Sequence, residues 1–310
     1  MKVFSLKSNE KWICDRFVDE WYAYNSEFAT SYISNADIIW LLAGWQWRNI
    51  SHDILASKSV VTTIHHIDTD KIDNNFLQNF HQRDCITDVY HVPCKKTKIE
   101  VEKLTNKPIF VHPFWINQNI WHEIKDKDYL RKSLGLPLGK KLIGSFQRDT
   151  EGYDLKTPKL SKGPDIFCDI VEKMDNVEVV LAGWRRQYVI NRLNKKNIKY
   201  HYFEWASFET LNKLYNCLDL YIVSSRCEGG PQALVECALT KTPIISTDVG
   251  LANIILDKKS IYDINSLSDI KAKPNVTVAR KNVQKYIISD GFTPFNVFFK
   301  AIYEKGKIND

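Results

Sequence analysis

The sequence predicts a parallel α/β protein made of two Rossmann-like, doubly wound domains. Three observations carry this reading. Short β-branched runs alternate with helix-patterned segments, as in layers where crossover helices link parallel strands. The 310 residues suffice for two domains at roughly 100–200 residues each. With 44% hydrophobic and 26% charged residues, the chain fills a core and is not disordered.

Taken in order, Ala36–Leu42 and Val60–Ile64 read as buried strands, with Val89–Val92 and Ile109–Val111 weaker. The charged stretch Lys125–Lys132 runs toward Gly135, Pro137 and Gly139. On composition it is the linker, with the border between domains at 130/131. Lys141–Phe146 is the next strand, and a helix starts at Pro164 because proline is preorganised for the first helical position. Ile166, Phe167, Ile170, Val171 and Met174 then share one helical face. Val177–Ala182 and Lys199–Phe203 are strands, and Arg192–Lys199 between them is basic and polar. Phe208–Cys217 is a helix with Ser207 as N-cap. A strand at Leu218–Ser224, a helix at Pro231–Leu239 and a strand at Pro243–Thr247 complete a domain ending near 285.

Charge and cysteines exclude several classes. Residues 1–130 hold 15 basic and 17 acidic side chains, and residues 131–310 hold 28 and 20. A half at −2 joined to a half at +8 argues against a nucleic-acid coat and suits one anion site in the second half. The longest apolar run near the start, Ile38–Trp45, is far below the roughly 20 residues of a membrane span, and no signal peptide is read at the N-terminus. Seven cysteines with no CxxC pair support neither a disulfide framework nor a zinc cluster, and read as thiols in a reducing cytoplasm.

The chemistry concentrates in Leu218–Gly250. A buried strand runs into Arg226, Cys227, Glu228, Gly229 and Gly230, and a helix opens at Pro231. Ligands of parallel sheets bind outside the carboxyl ends of strands, where helix N-termini favour anions. Glu228 in the loop and Glu236 on the helix are carboxylates suited to accept hydrogen bonds from sugar hydroxyls. Lys162, before a helix start, and Arg148 are cations suited to a diphosphate, with Lys156 or Lys159 as substitutes for one contact. At the end of the Val60–Ile64 strand stand His65, His66 and Asp68, and only one of two adjacent histidines on a strand faces a given side.

EGGPQALVE, from Glu228 to Glu236, resembles the E-x7-E element of retaining GT-B glycosyltransferases, most closely glycosyltransferase family 4 (group 1). The segments LIGSFQRD, SKGPDIFCDIVEKM, VEVVLAGW and LYIVSSRCEGGPQALVECALTKTPIISTDVG follow that family's C-terminal domain in order. The resemblance implies a GT-B fold, two lobes facing across a cleft. Residues 1–130 form a short acceptor lobe, 131–285 the donor lobe, and 286–310 a last helix crossing back. It implies a metal-independent, cofactor-free transfer from a nucleotide diphosphate sugar, UDP- or GDP-linked, to a hydroxyl of a glycan or lipid-linked acceptor. Glu228 and either His65 or His66 would orient the sugar. Glu236 would hold the ribose, Lys162 and Arg148 the diphosphate, and Gly229, Gly230 and Pro231 would border sugar and phosphates. Glu204 and Trp205, within Phe203–Ala206, would hold the base. Two departures stand out: no glycine-rich loop follows the first strand, a place that Ser34–Trp47 takes with Gly44, and thirteen residues separate Arg148 from Lys162. The short first lobe and the missing glycine loop keep open a nucleotide-sugar-binding protein without transferase activity, and a further alternative is another GT-B enzyme such as a sugar-nucleotide epimerase. The aromatic tail from Tyr286 to Tyr303 suits the crossing helix, with peripheral attachment at the inner face of a membrane as the rival reading.

Overall fold

The computed structural model describes residues 1–9, 13–267 and 270–306. The chain divides into two compact units, one of Met1–Trp115 with Ser289–Asp310 and one of Ile116–Ile288.

The first unit holds a five-stranded parallel sheet of β1 (Val3–Ser5), β2 (Ile38–Leu41), β3 (Ser59–Thr63), β4 (Val89–Val92) and β5 (Ile109–Val111). Its order runs straight, β1-β2-β3-β4-β5. The double winding expected of this half is therefore absent from the sheet, which has no point where the order reverses. One part of the core beside it is an aromatic cluster. Trp21 and Trp40 meet edge to face at 5.6 Å, and Trp40 packs on Phe295 and Phe299 at 5.4 and 5.1 Å. Those phenylalanines belong to the last helix, Thr293–Gly306, so this part of the tail's stripe is core, while Phe298 and Tyr303 are half-buried. Residues 307–310 of the expected crossing segment lie outside the described residues.

The second unit holds a six-stranded parallel sheet: β6 (Lys141–Ser145), β7 (Val177–Ala182), β8 (Tyr200–Phe203), β9 (Leu220–Val223), β10 (Ile244–Thr247) and β11 (Ile261–Tyr262). Here the order is β11-β10-β9-β6-β7-β8, doubly wound, and it reverses between β6 and β9. Crevices open at such a reversal because the flanking loops leave in opposite directions. The helix Pro164–Val171 follows from its spacing: Ile166, Phe167, Ile170 and Val171 are buried against Ile143, Val179 and Ile222. Ser207 caps Phe208–Cys217 by accepting from the Thr210 N–H at 3.1 Å.

The unit border falls at 115/116, ahead of the expected 130/131, and the stretch 125–132 is not a linker. Asp126 caps a helix, Lys127–Ser133, that is bolted to the second unit. The Arg131 guanidinium donates to Cys217 O at 2.7 Å and to Asp219 at 2.7 Å, and Lys127 reaches Asp219 at 2.7 Å. Upstream, the His122 and Ile124 N–H groups donate to Asn212 and Asn216. Two of the charges that suggested a solvated hinge, Lys127 and Arg131, are ion-pair partners of Asp219, and a third, Asp126, is the helix cap.

Candidate functional site

The reversal between β6 and β9 brings three loops together. Ser161 O accepts from the Arg226 and Cys227 N–H groups at 2.8 and 3.1 Å, lacing the turn before Pro164 to the loop after β9. Gly163 makes that lacing possible. It sits at φ +60°, and a Cβ there would lie 1.9 Å from Ser224 O. Above this contact, Lys162 Nζ pairs with the Glu228 carboxylate, both side chains largely buried. Gln147, just past β6, completes the cluster. Its Nε2 donates to Lys162 O at 2.9 Å, and its Oε1 accepts from Ser225 Oγ at 3.4 Å. Ser225 Oγ also lies 3.4 Å from Glu228 Oε1.

Arg226 is held at the flank, where its guanidinium grips Asp165 at 2.6 and 2.8 Å. Burial pushes the Asp165 carboxyl up, but Arg226 and two N–H groups outweigh it and leave it below the ordinary carboxylate value. Thus two cation–carboxylate pairs mark the start of this helix. Behind the loop, a Cβ on Gly250 (φ +49°) would strike Gly229 O at 2.2 Å, so the backbone of residues 228–229 rests directly on that turn. Gly230 O accepts from Gln232 Nε2 at 3.2 Å, and Pro231 leads into the helix Gln232–Thr240.

Glu236 is buried on that helix and accepts from Tyr215 O–H at 2.8 Å. Burial and the Glu236 charge raise the Tyr215 hydroxyl far above its usual value, so it remains a donor and fixes the carboxylate.

Arg148 lies elsewhere than expected. The structure does not bring it to Lys162. Its Nε donates to Thr150 O at 2.8 Å, and its guanidinium stands 5.5 Å over the Trp184 ring. Arg185 covers Trp184 at 4.7 Å, and Trp184 stacks on Trp205 at 6.3 Å and 25°. Burial and the neighbouring Arg185 lower the Arg148 value, a sign of two cations held close on one surface. Trp205 is 73% exposed and Glu204 is exposed beside it. A second cluster, two cations on an aromatic wall, therefore stands at the carboxyl ends of β7 and β8. Sequence reasoning missed Gln147, Trp184 and Arg185. Only the place of the latter two, directly after the Gly183 that closes a strand, could have flagged them.

In the first unit, His65 and His66 follow β3. His65 Nε2 faces Leu42 O at 2.8 Å, so that nitrogen carries the hydrogen, and the ring stacks on Phe114 at 5.7 Å. His66 is half-buried. The lysines at 95, 96 and 98 lie on the helix Lys95–Glu102, and Trp45 is 37% exposed while Trp40 is core.

Among the described residues no helix is long and apolar enough to cross a membrane. Residues 157–272, which hold Lys162, Glu228 and Glu236, match the family described as glycosyl transferases group 1. No curated protein matches the chain by sequence. Among solved structures, the chain is similar to Alr3699/HepE of Anabaena in complex with UDP, with TM-score 0.72 and 13% identity over 98% of this chain and 100% of that one. A sucrose-phosphate synthase from Thermosynechococcus elongatus gives 0.65 and 15% over 98% and 81%, and a glycosyltransferase from Rickettsia africae 0.64 and 16% over 97% and 83%. At such identities the likeness establishes the fold: two parallel α/β units of the GT-B class.

Proposed function

We propose that the protein is a retaining glycosyltransferase that moves a sugar from a nucleoside diphosphate sugar to a hydroxyl of a glycan or lipid-linked acceptor, without a metal ion. The observation that carries this reading is the Lys162–Glu228 pair, set at the sheet reversal where Gly163 lets backbone approach backbone. In this reading Lys162 Nζ faces the diphosphate and offsets the charge that grows as the glycosidic C–O bond to phosphate breaks. The Glu228 carboxylate accepts hydrogen bonds from the sugar hydroxyls, and the backbone of Gly229, Gly230 and Pro231 borders the sugar and phosphates. The acceptor oxygen bonds to the anomeric carbon on the face the diphosphate leaves, and its proton passes to the departing phosphate oxygen. Glu236, oriented by Tyr215, accepts from the ribose hydroxyls. Arg148, Trp184, Arg185, Glu204 and Trp205 form the wall against the base. The acceptor is a task of the first unit, with His65 or His66 orienting the sugar. We place the activity in the cytoplasm.

UDP-sugars are the first donors to test, since an Anabaena protein of the same fold is known in complexes with UDP and UDP-glucose. A thermal-shift panel of UDP- and GDP-sugars should show one donor raising the melting temperature, because a ligand that binds only the folded state stabilises it. Glu236→Gln should weaken that donor about 10–100-fold by calorimetry, the worth of hydrogen bonds to a charged acceptor. A panel without any shift, or an unchanged affinity in Glu236→Gln, would sink the site assignment.

One observation favours a second reading, a nucleotide-sugar-binding protein without transfer. The first unit's sheet is short and runs straight, without the reversal that shapes a ligand crevice. Donor hydrolysis or transfer to an acceptor panel separates the two, since only the transferase releases the free nucleoside diphosphate.

A further inference from the structure

Arg186 is a charged side chain with no exposed surface, two residues after Trp184. Its Nε donates to Asp149 Oδ2 at 3.0 Å, and Asp149 is buried as completely. Its Nη1 donates to Ala182 O at 3.0 Å and to Ser145 O, and Nη2 to Ser145 Oγ at 3.1 Å. One guanidinium thus ties the last residue of β6 to the last residue of β7. Asp149 extends the tie, since its Oδ1 accepts from the Tyr188 N–H at 3.3 Å and its own N–H donates to Arg185 O at 3.0 Å. Thr150 Oγ1 donates to the same Arg185 carbonyl at 3.3 Å.

The consequence lies one residue to either side. Arg148 precedes Asp149, and Arg185 precedes Arg186, so the buried pair fixes the backbone of both surface cations. Arg185 is held at φ +61°, a left-handed conformation that a non-glycine residue keeps only when its surroundings impose it. In that conformation its guanidinium covers Trp184, where Arg148 also stands. A buried ion pair is seldom retained for stability, because desolvation offsets most of its attraction. What this one supplies is geometry.

We propose that the buried Arg186–Asp149 pair is a positioning device for donor recognition, holding Arg148, Trp184 and Arg185 as one wall. The inference rests on the donor-binding reading above. Arg186 touches no substrate in it; it acts through the wall. Arg186→Lys keeps the charge but cannot reach Asp149, Ser145 and Ala182 together, and Asp149→Asn keeps the shape but not the charge.

The test is calorimetric titration of the full chain with UDP, then GDP, reading affinity and stoichiometry separately. Arg186→Lys and Asp149→Asn should each raise Kd by a factor of about ten or more at unchanged stoichiometry, as a misplaced binding surface does. If Arg186→Lys does not fold, Asp149→Asn carries the measurement. In a Trp184→Ala background the further loss should fall below about twofold, because residues acting through one another are not additive. A merely structural pair would lower the melting temperature and the binding-competent fraction but leave Kd alone, and that result overturns the proposal. So does a full loss repeated in the Trp184→Ala background. If the wild type binds neither UDP nor GDP, the donor reading itself falls and this inference with it. If the wild type binds and both variants match it, the inference falls alone.

Discussion

Lys162 owes its position to its own backbone. Its carbonyl accepts from Gln147 Nε2 at 2.9 Å and Ser224 Oγ at 3.3 Å, and its N–H donates to Lys159 O at 2.8 Å. A side chain so anchored offers its charge without reorganising, the condition under which a cation helps a developing anion most. Lys162→Met should therefore lower kcat for donor turnover by about 10²–10³, with a much smaller change in donor Kd, since the charge to be met grows in the transition state. Equal losses in kcat and affinity would make Lys162 a ground-state contact, and an unchanged kcat would remove it from the chemistry. Lys162 and Glu228 were legible because each stands next to a Gly-Pro or Gly-Gly-Pro step, and the structure pairs them; Glu236 was legible only by its spacing from Glu228, and it lies buried on the helix Gln232–Thr240. Arg148 was not, because spacing along a thirteen-residue loop gives no direction, and its guanidinium turns to Trp184. Gln147 had no signal at all: an uncharged amide in a polar segment looks like any other.

The turn before Pro164–Val171 is the element on which the site depends. Gly163 combines φ +60° with backbone 1.9 Å from where a Cβ would stand, and that neighbour, Ser224 O, is not a side chain that can swing away. Gly163→Ala should cost at least about 2 kcal/mol, combining strain with a forced parting of helix and β9 loop. In a unit of this size that is a fall of roughly 4–8 °C in melting temperature. Gly139, with nothing within 4 Å of its missing Cβ, is the control, and Gly139→Ala should stay within about 0.5 kcal/mol. A Gly163→Ala protein that melts with the wild type and binds donor normally would show that the helix start is not held as described. Elements bounded by glycine or proline were legible: β7 ends at Gly183, and the helix after Gly163 starts on Pro164. The helix Gln187–Lys195 was not, because half its turns are polar and only Val189 and Leu193 are buried. The two-residue β11 is too short to show an alternation. Lys127–Ser133 read as a linker because sequence cannot show that Asp219 awaits its charges.

Divided by its compact units, the chain carries 16 basic and 17 acidic residues in one and 27 and 20 in the other, so the positive excess sits in the unit with the Lys162–Glu228 pair. The two units also differ in what acid does to them. In the first, a chain of hydrogen bonds runs from Trp40 Nε1–H to Thr63 Oγ1 at 2.9 Å and from Thr63 O–H to His91 Nδ1 at 3.0 Å, while His91 Nε2–H donates to His112 O at 2.8 Å. The carbonyl can only accept, so Nε2 carries a hydrogen; burial keeps the ring neutral, which leaves Nδ1 bare to accept from Thr63 O–H. Burial is the main reason His91 is pushed down to about 3, with the nearby His65 and His112 adding to it and the His112 carbonyl opposing. Unfolded, the same ring takes a proton near 6.5. Between those values the unfolded chain binds more protons than the folded one, so stability falls with pH by up to about 1.4 kcal/mol per unit from 6.5 downward. In the second unit, Asp219 is held low by Lys127, the Leu142 N–H and Arg131 against an upward push from burial. Its contribution is lost only as pH drops below the ordinary carboxylate value. The first unit should therefore loosen first. Hydrogen exchange followed by mass spectrometry at pH 6, 5 and 4, corrected for intrinsic rates, should show protection falling in β3 and β4 while β6 and β9 hold. His91→Phe should flatten that pH dependence even if it lowers stability at pH 7, because the group that titrates is gone. Parallel loss in both units, or an unchanged slope in His91→Phe, would mean that another group governs acid sensitivity.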